Sequence, residues 1–260
     1  MDARRHLVVL GASSGFGAAT ARAFAREGWG VFGVHLDRRQ AQPGVDALLA
    51  ELRAEGVPAT FVNGNAADDD FRAGAVAALR DHLGPEGRVD AMLHSLAFGT
   101  LRPLFADGPT IERRHLDMTL DVMANSLVYW AQDLVRSGLL GRGGRIWAMT
   151  SAGSSAAWSS YGAVSAAKCA LEAHIRQIAV ELAPHGITAN AILAGVTMTA
   201  ALEKIPGSAR IAELALARNP HGRLTQPEDV ANCLLALAGP GTAWLTGNVL
   251  RVDGGETIAG

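Results

Sequence analysis

Three side chains in the second half of this 260-residue chain carry groups that could do chemistry together: the hydroxyl of Ser151, the phenol of Tyr161 and the amine of Lys168. Gathered near the start of one amphipathic helix, such a set suggests hydride transfer. The stretch 161–168 reads YGAVSAAK, with Ser151 17 residues before Lys168, Tyr161 seven before it and Val164 four before it. On a helix, four residues back is a rotation of about 400° and seven back about 700°. Both return near the lysine face, and the seven-back position stands about 4.5 Å farther along the axis. That displacement has a chemical meaning. When hydride reaches a carbonyl carbon, the oxygen that needs a proton is bonded to that same carbon. When hydride reaches the β-carbon of an enoyl thioester, charge develops on the thioester oxygen three bonds away, so the stabilising hydroxyl must stand farther out. A preorganised donor aimed at developing charge is usually the largest catalytic contribution. Ser165 also faces the lysine side and is the alternative donor for carbonyl chemistry, but it is a much poorer acid than a phenol. The non-chemical readings are a Tyr161 packed on Trp158, a surface Lys168 and a Ser151 that satisfies a strand end.

A second group of residues opens the chain. Gly11-Ala12-Ser13-Ser14-Gly15-Phe16-Gly17 follows an apolar run and starts a helical pattern. Glycines there permit a tight turn and a close approach to a pyrophosphate, which a helix N-terminus attracts. The spacing is G-x-x-x-G-x-G rather than the commoner G-x-G-x-x-G. Gly11, Ser13, Ser14, Gly15, Phe16 and Gly17 are therefore expected to hold a dinucleotide. The second apolar run ends His35-Leu36-Asp37-Arg38-Arg39. Asp37 would accept a ribose 2′-hydroxyl, whereas Arg38 and Arg39 would pair with a 2′-phosphate. Two adjacent arginines favour NADPH slightly over NADH; the other reading of the pair is a solvated turn.

Positioning these groups requires a particular arrangement of elements. Apolar runs at 7–11, 30–36, 58–64, 90–97, 144–152, 187–195 and 248–255 alternate with helical patterns such as VDALLAELRAEG and FRAGAVAALRDHLG. Continuously apolar strands separated by amphipathic helices predict an α/β fold: a doubly wound parallel sheet of Rossmann type, about seven strands with helices on both faces. One domain over residues 1–260 is expected, with an insertion at about 198–219 acting as a lid over substrate.

Composition narrows the partners. The chain is 49% hydrophobic and 18% charged, with a net charge of −2. That balance argues against nucleic acid or an anionic membrane, and no apolar run reaches the roughly 18 residues of a span. The N-terminus runs straight into the first motif without a visible targeting segment, so a cytoplasmic location is expected. Cys169 and Cys233 read as small core residues of a reduced compartment. His94, inside an apolar run, reads as a satisfied core histidine. His115, His174, His185 and His221 show no ligand spacing, and no metal is expected.

The GASSGFG loop, the Ser151…Lys168 spacing, NAILAG at 190–195 and TGNVLRVDGG at 246–255 together resemble the short-chain dehydrogenase/reductase superfamily over essentially the whole chain. Within it, His94-Ser95-Leu96-Ala97-Phe98, Ala194-Gly195 and the Tyr161-x6-Lys168 spacing resemble the enoyl-acyl carrier protein reductases. Where many of those enzymes carry a second Tyr, this chain has Ser151. Met123 stands where carbonyl-reducing relatives place an Asn of a proton relay, with Asn125 two residues later. The resemblance implies that Asn65, Ala66, Ser95, Leu96, Ala97, Ala194 and Gly195 meet the cofactor, Asn65 at the adenine. It places the Thr197 backbone at the nicotinamide carboxamide and Thr199 at the phosphates. Tyr161 would then bond the thioester carbonyl and stabilise the enolate, with assistance from Ser151. Lys168 would hold the nicotinamide ribose, and its charge would lower the Tyr161 pKa. Phe98, Leu101, Trp158, Met198 and Leu202 would line an acyl pocket. The implied activity is reduction of a trans-2-enoyl thioester, on acyl carrier protein or coenzyme A, in fatty-acid or polyketide synthesis, by a homotetramer joined through its long helices. A 3-oxoacyl or other carbonyl reductase and a non-catalytic dinucleotide sensor are the alternatives.

Overall fold

The computed structural model describes residues 4–259; Met1–Ala3 and Gly260, part of the expected domain, lie outside the described residues. The elements run β1 (His6–Leu10), α1 (Gly15–Arg26), β2 (Gly30–His35), α2 (Gln42–Ala54), β3 (Ala59–Asn63), α3 (Asp69–Leu83), β4 (Val89–His94), α4 (Arg113–Leu120) and α5 (Ser126–Arg136). They continue with β5 (Leu140–Thr150), α6 (Gly162–Leu182), β6 (Thr188–Ala194), α7 (Ala200–Glu203), α8 (Ser208–Arg218), α9 (Pro227–Leu237) and β7 (Val249–Val252). The strands form one sheet in the order β3-β2-β1-β4-β5-β6-β7, and each pairing is parallel. The expected α/β class, strand number and doubly wound topology are all present. The order in which strands are added reverses between β1 and β4, which opens a crevice at the carboxyl ends of those strands.

Strand periodicity explains the two buried faces. On β1, Val8 and Leu10 enter one core with Leu79, Leu127, Trp130, Leu171 and Ile175, under α3, α5 and α6. Leu7 and Val9 enter the other with Phe24, Leu48, Leu52, Val230 and Leu234, under α1, α2 and α9. Successive residues of a strand point to opposite faces, so a strand covered on both sides must be apolar throughout.

Two local features differ from the sequence reading. β5 starts at Leu140, four residues before the expected run, because Leu140 pairs with Val89 before a register shift reaches the Ala91–Arg145 pair. The cysteines are not core residues. Cys169 is exposed and Cys233 half-buried, because the turn of α6 that buries Lys168 places its neighbour on the outer face. Between α4 and α5, Asp121–Asn125 forms a single π turn.

Candidate active site

The site is built where β5 hands over to α6. After Thr150 the chain leaves the sheet, and Ser151 caps a short 3-10 turn by accepting from the Gly153 N–H at 3.2 Å. Ser160 then takes a left-handed conformation, φ 62°, which is rare outside glycine and stores strain that a packed surrounding must hold. The next residue, Tyr161, is the N-cap of α6 rather than part of its first turn. Its ring meets Trp158 edge-on at 5.7 Å between centroids. Packing on Trp158 and approach to Ser151 thus coexist. A β-carbon on Gly153 would stand 2.5 Å from Tyr161 Cε1 and 3.0 Å from Ser151 Oγ, so this glycine is what lets the phenol close on the serine.

Lys168 is not a surface residue. It is buried, and its ammonium donates to the Met149 carbonyl at 2.7 Å. Val164 occupies the position four before it and is buried in a small apolar cluster with Met123 and Ala167, against which Leu101 and Tyr161 pack. The space a nearer tyrosine would fill is thus closed by hydrocarbon. Ser165, the alternative donor, gives its hydroxyl to the Gly153 carbonyl.

Burial dominates the proton affinities. Desolvation pushes Lys168 down to about 8, with Glu172 acting in the opposite direction. Tyr161 is raised by burial, opposed by its hydrogen bond with Ser151. The Tyr161 pKa, expected to be lowered by Lys168, is instead raised by burial, and the phenol stays protonated at neutral pH as a hydrogen-bond donor. His94 is fully buried. Its Nε2 lies 2.8 Å from Ser126 Oγ, which itself donates to the Val122 carbonyl at 2.7 Å. The serine proton being committed, Nε2 carries the hydrogen, and Nδ1 is left without a partner. The expectation of a satisfied core histidine holds for one nitrogen only. Burial pushes its pKa down to about 3, so it is a neutral imidazole.

The crevice fits a dinucleotide on two observations. The Gly11-to-Gly17 turn is closed by backbone contact: a β-carbon at Gly17 would lie 2.0 Å from the Gly11 carbonyl oxygen, and one at Gly11, φ 90°, would lie 2.4 Å from that of Ser95. Ser14 caps α1 without a side-chain bond, and the first turn carries no acidic residue. These helix amides are thus free to receive an anion. Ser13, Gly15 and Phe16 belong to the same turn, and Thr199 reaches across it, with Cγ2 3.6 Å from where a Gly15 β-carbon would be.

At the end of β2, the Asp37 carboxylate lies 2.9 Å from His35 Nδ1, and the Asn63 side chain bonds both the N–H and the carbonyl of Asp37. Arg38 and Arg39 are exposed. Asn65 accepts from the Ala67 N–H at 3.0 Å, and the Ala66 carbonyl accepts from Trp130 Nε1 at 2.9 Å. Ser95 joins the loop after β4 to β1 through its N–H on the Leu10 carbonyl; Leu96 is half-buried beside it and Ala97 exposed.

The loop after β6 is held from the C-terminal turn. The buried Glu256 carboxylate accepts from the Val196 N–H at 2.9 Å, and Gly195 has room for no side chain between Thr225 and Glu256. Ala194 ends β6, Thr197 bonds the Gly195 carbonyl, and Thr199 caps α7.

Of the expected pocket residues, Trp158 meets Tyr161 and Leu101 packs on the same apolar cluster as Tyr161, whereas Phe98 and Met198 are exposed and Leu202 half-buried. Several contributors escaped the sequence reading: Gly153, Met149, Glu256, and Leu104, whose side chain lies over Gly162. For the glycines no signal in one sequence separates a site residue from an ordinary turn. Val164 and Met123 were legible as departures from spacing, not as an apolar floor.

A doubly wound sheet with a glycine turn at its crevice and a Ser–Tyr–Lys set beside it defines a dinucleotide-dependent oxidoreductase. The family model described as Enoyl-(Acyl carrier protein) reductase matches residues 11–257, and the chain belongs to that family of the short-chain dehydrogenase/reductase superfamily. It is 31% identical to 1-cyclohexenylcarbonyl-CoA reductase of Streptomyces collinus over 99% of this chain and 88% of that protein. It is 35% identical to cis-4-hydroxycyclohexanecarboxylate dehydrogenase of Sinomonas cyclohexanicum over 98% and 97% of the two chains. Among solved structures, the enoyl-[acyl-carrier-protein] reductase (NADH) of Aquifex aeolicus VF5 shares the fold at a TM-score of 0.83, with 23% identity and coverage of 98% and 97%. Two L-rhamnose 1-dehydrogenases among the relatives are named for NAD(P)(+).

Proposed function

We propose that the protein reduces the 2,3-double bond of an enoyl thioester with NAD(P)H. The observation that carries this reading is the pairing of a displaced Tyr161 with a hydrocarbon-filled position at Val164. The donor precedes the lysine by seven residues instead of four, the displacement that an enolate oxygen three bonds from the hydride acceptor requires. A bound reduced nicotinamide supplies the hydride. Tyr161, kept protonated by burial, donates a hydrogen bond to the thioester oxygen as negative charge gathers there. Ser151 orients the phenol. Lys168 holds the ribose hydroxyls and brings a positive charge to the same side of the site. The α-carbon receives its proton from solvent or from Tyr161. Leu101, Leu104, Trp158 and the 198–219 segment enclose the acyl group. The cyclohexenyl substrate named for the Streptomyces relative supports an α,β-unsaturated thioester, including a ring-bearing one, on coenzyme A or acyl carrier protein.

The second reading is a 3-oxoacyl or other carbonyl reductase, favoured by the identity to the Sinomonas relative, a dehydrogenase of a cyclic alcohol. Met123 in the place of a relay Asn and Val164 in the place of a nearer Tyr weigh against it. The exposed Arg38 and Arg39 favour NADPH, and the Asp37 carboxylate favours NADH. Purified protein is mixed with NADPH or NADH and either a trans-2-enoyl, a 1-cyclohexenylcarbonyl or a 3-oxoacyl thioester. Absorbance loss with the unsaturated substrates alone is expected, faster with NADPH; oxidation with the 3-oxoacyl substrate alone overturns the reading.

A further inference from the structure

Three consecutive residues at the end of β5 grip α6 or its cap. The Met149 carbonyl accepts from Lys168 Nζ at 2.7 Å. The Thr150 hydroxyl donates to Glu172 Oε1 at 2.6 Å. Ser151 Oγ and the Tyr161 ring meet over Gly153, 3.0 Å and 2.5 Å from where its β-carbon would stand. The outer two contacts involve groups already assigned to the chemistry. The middle one does not, yet Glu172 is four residues after Lys168 on the same helix, the spacing at which side chains share a face. Lys168 offers three donors, and its hydrogen bond within the protein goes to a neutral carbonyl. A buried ammonium without a nearby negative charge is expensive to keep.

We infer that Glu172 is a positioning residue: anchored by Thr150, its carboxylate holds Lys168 in the ammonium form at the β5–α6 seam. This rests on the reading that Lys168 serves as a cation in the site. Among the groups acting on Lys168, burial lowers its proton affinity and Glu172 raises it. Among the described residues, no charged side chain but Glu172 moves the Lys168 proton affinity, Arg142 and Arg145 of β5 and Arg114 of α4 included. His94 on β4 is neutral, its pKa pushed down to about 3 by burial. Asp121 of the π turn is bonded to Tyr129 on α5, and Asp117 on α4 pairs with Arg113. His174 on α6, lowered by burial, is bonded to Asn125. The buried Tyr161 is raised and uncharged, and β6, TANAILA, has no ionisable side chain.

The chain contains two lysines, Lys168 and Lys204, so protein labelled with 13C at lysine Cε gives two side-chain signals, assigned with Lys204→Arg. Each is followed against pH in the wild type, in Glu172→Gln, which keeps an acceptor for Thr150 but removes the charge, and in Thr150→Val, which keeps the charge but frees it. The Lys168 midpoint is expected near 8 in the wild type, about one pH unit lower in Glu172→Gln, and lowered by less in Thr150→Val. An unmoved midpoint in folded Glu172→Gln overturns the inference. If that variant does not fold, an unmoved midpoint in Thr150→Val overturns it. The basic limb of kcat/KM should move by the same amount. Because the titration needs no substrate, failure to turn over enoyl thioesters would count against the proposed reaction and leave the lysine result standing.

Discussion

At the residue scale, the site depends on a single phenol brought close by a single missing side chain. Tyr161→Phe removes the donor and keeps the ring on Trp158. Turnover of an enoyl thioester should fall about 10²–10³-fold, as when one oxyanion donor is removed, while NAD(P)H affinity by fluorescence titration stays as in the wild type. Unchanged turnover would remove Tyr161 from the chemistry. Gly153→Ala tests the same geometry from the other side. Its β-carbon would stand 2.5 Å from the Tyr161 ring and 3.0 Å from Ser151 Oγ. The expected result is a loss of kcat comparable to that of Tyr161→Phe with the melting temperature little changed, because Gly153 lies in the short 3-10 turn outside the sheet.

At the element scale, the π turn joins the floor of the site to the core. It carries Met123 into the cluster with Val164, and it is tied to β4 through the His94–Ser126–Val122 chain of bonds. Ser126→Ala would leave the His94 N–H and the Val122 carbonyl buried without this partner. Each orphaned group costs about 1–3 kcal/mol. Urea unfolding should show a lower midpoint with an unchanged slope, and kcat should fall with it as Met123 loosens beneath Tyr161. Gly17→Ala acts on a different element. Its β-carbon would strike the Gly11 carbonyl at 2.0 Å, which forces the glycine turn apart. Nucleotide affinity, measured by calorimetry, should drop by at least about tenfold, or 1.4 kcal/mol.

At the scale of the whole molecule, histidines buried within the fold set its response to acid. Burial lowers His6, pushes His82 down to about 4 and His94 down to about 3. In the unfolded chain each takes a proton near 6.5. Between pH 6.5 and about 3 the unfolded state therefore binds more protons, so stability is full above 6.5 and falls as pH drops through that window. Asp253, held low by bonds from Thr257 and Gly255 against its burial, adds a loss of the same sign below its ordinary range. The urea midpoint should decline steadily from pH 7 to pH 4, and His82→Gln should flatten that decline. A midpoint independent of pH over this range would contradict it.

The architecture was legible in the amino-acid order because it rests on local periodicities. Short apolar runs alternating with amphipathic helices point to strands of a covered parallel sheet, glycines after the first run point to a tight turn, and YGAVSAAK carried its own departure from the nearer spacing. Cys169 was misread because the helical pattern does not say which side of one turn meets solvent. Tertiary structure alone decided what surrounds each group. It set the strained Ser160 that aims Tyr161 and the enclosure that raises the phenol instead of lowering it. It also brought the Thr150 hydroxyl to Glu172, 22 residues away in the chain. Such effects depend on desolvation and on distances between elements far apart in sequence, and neither quantity exists until the chain has packed.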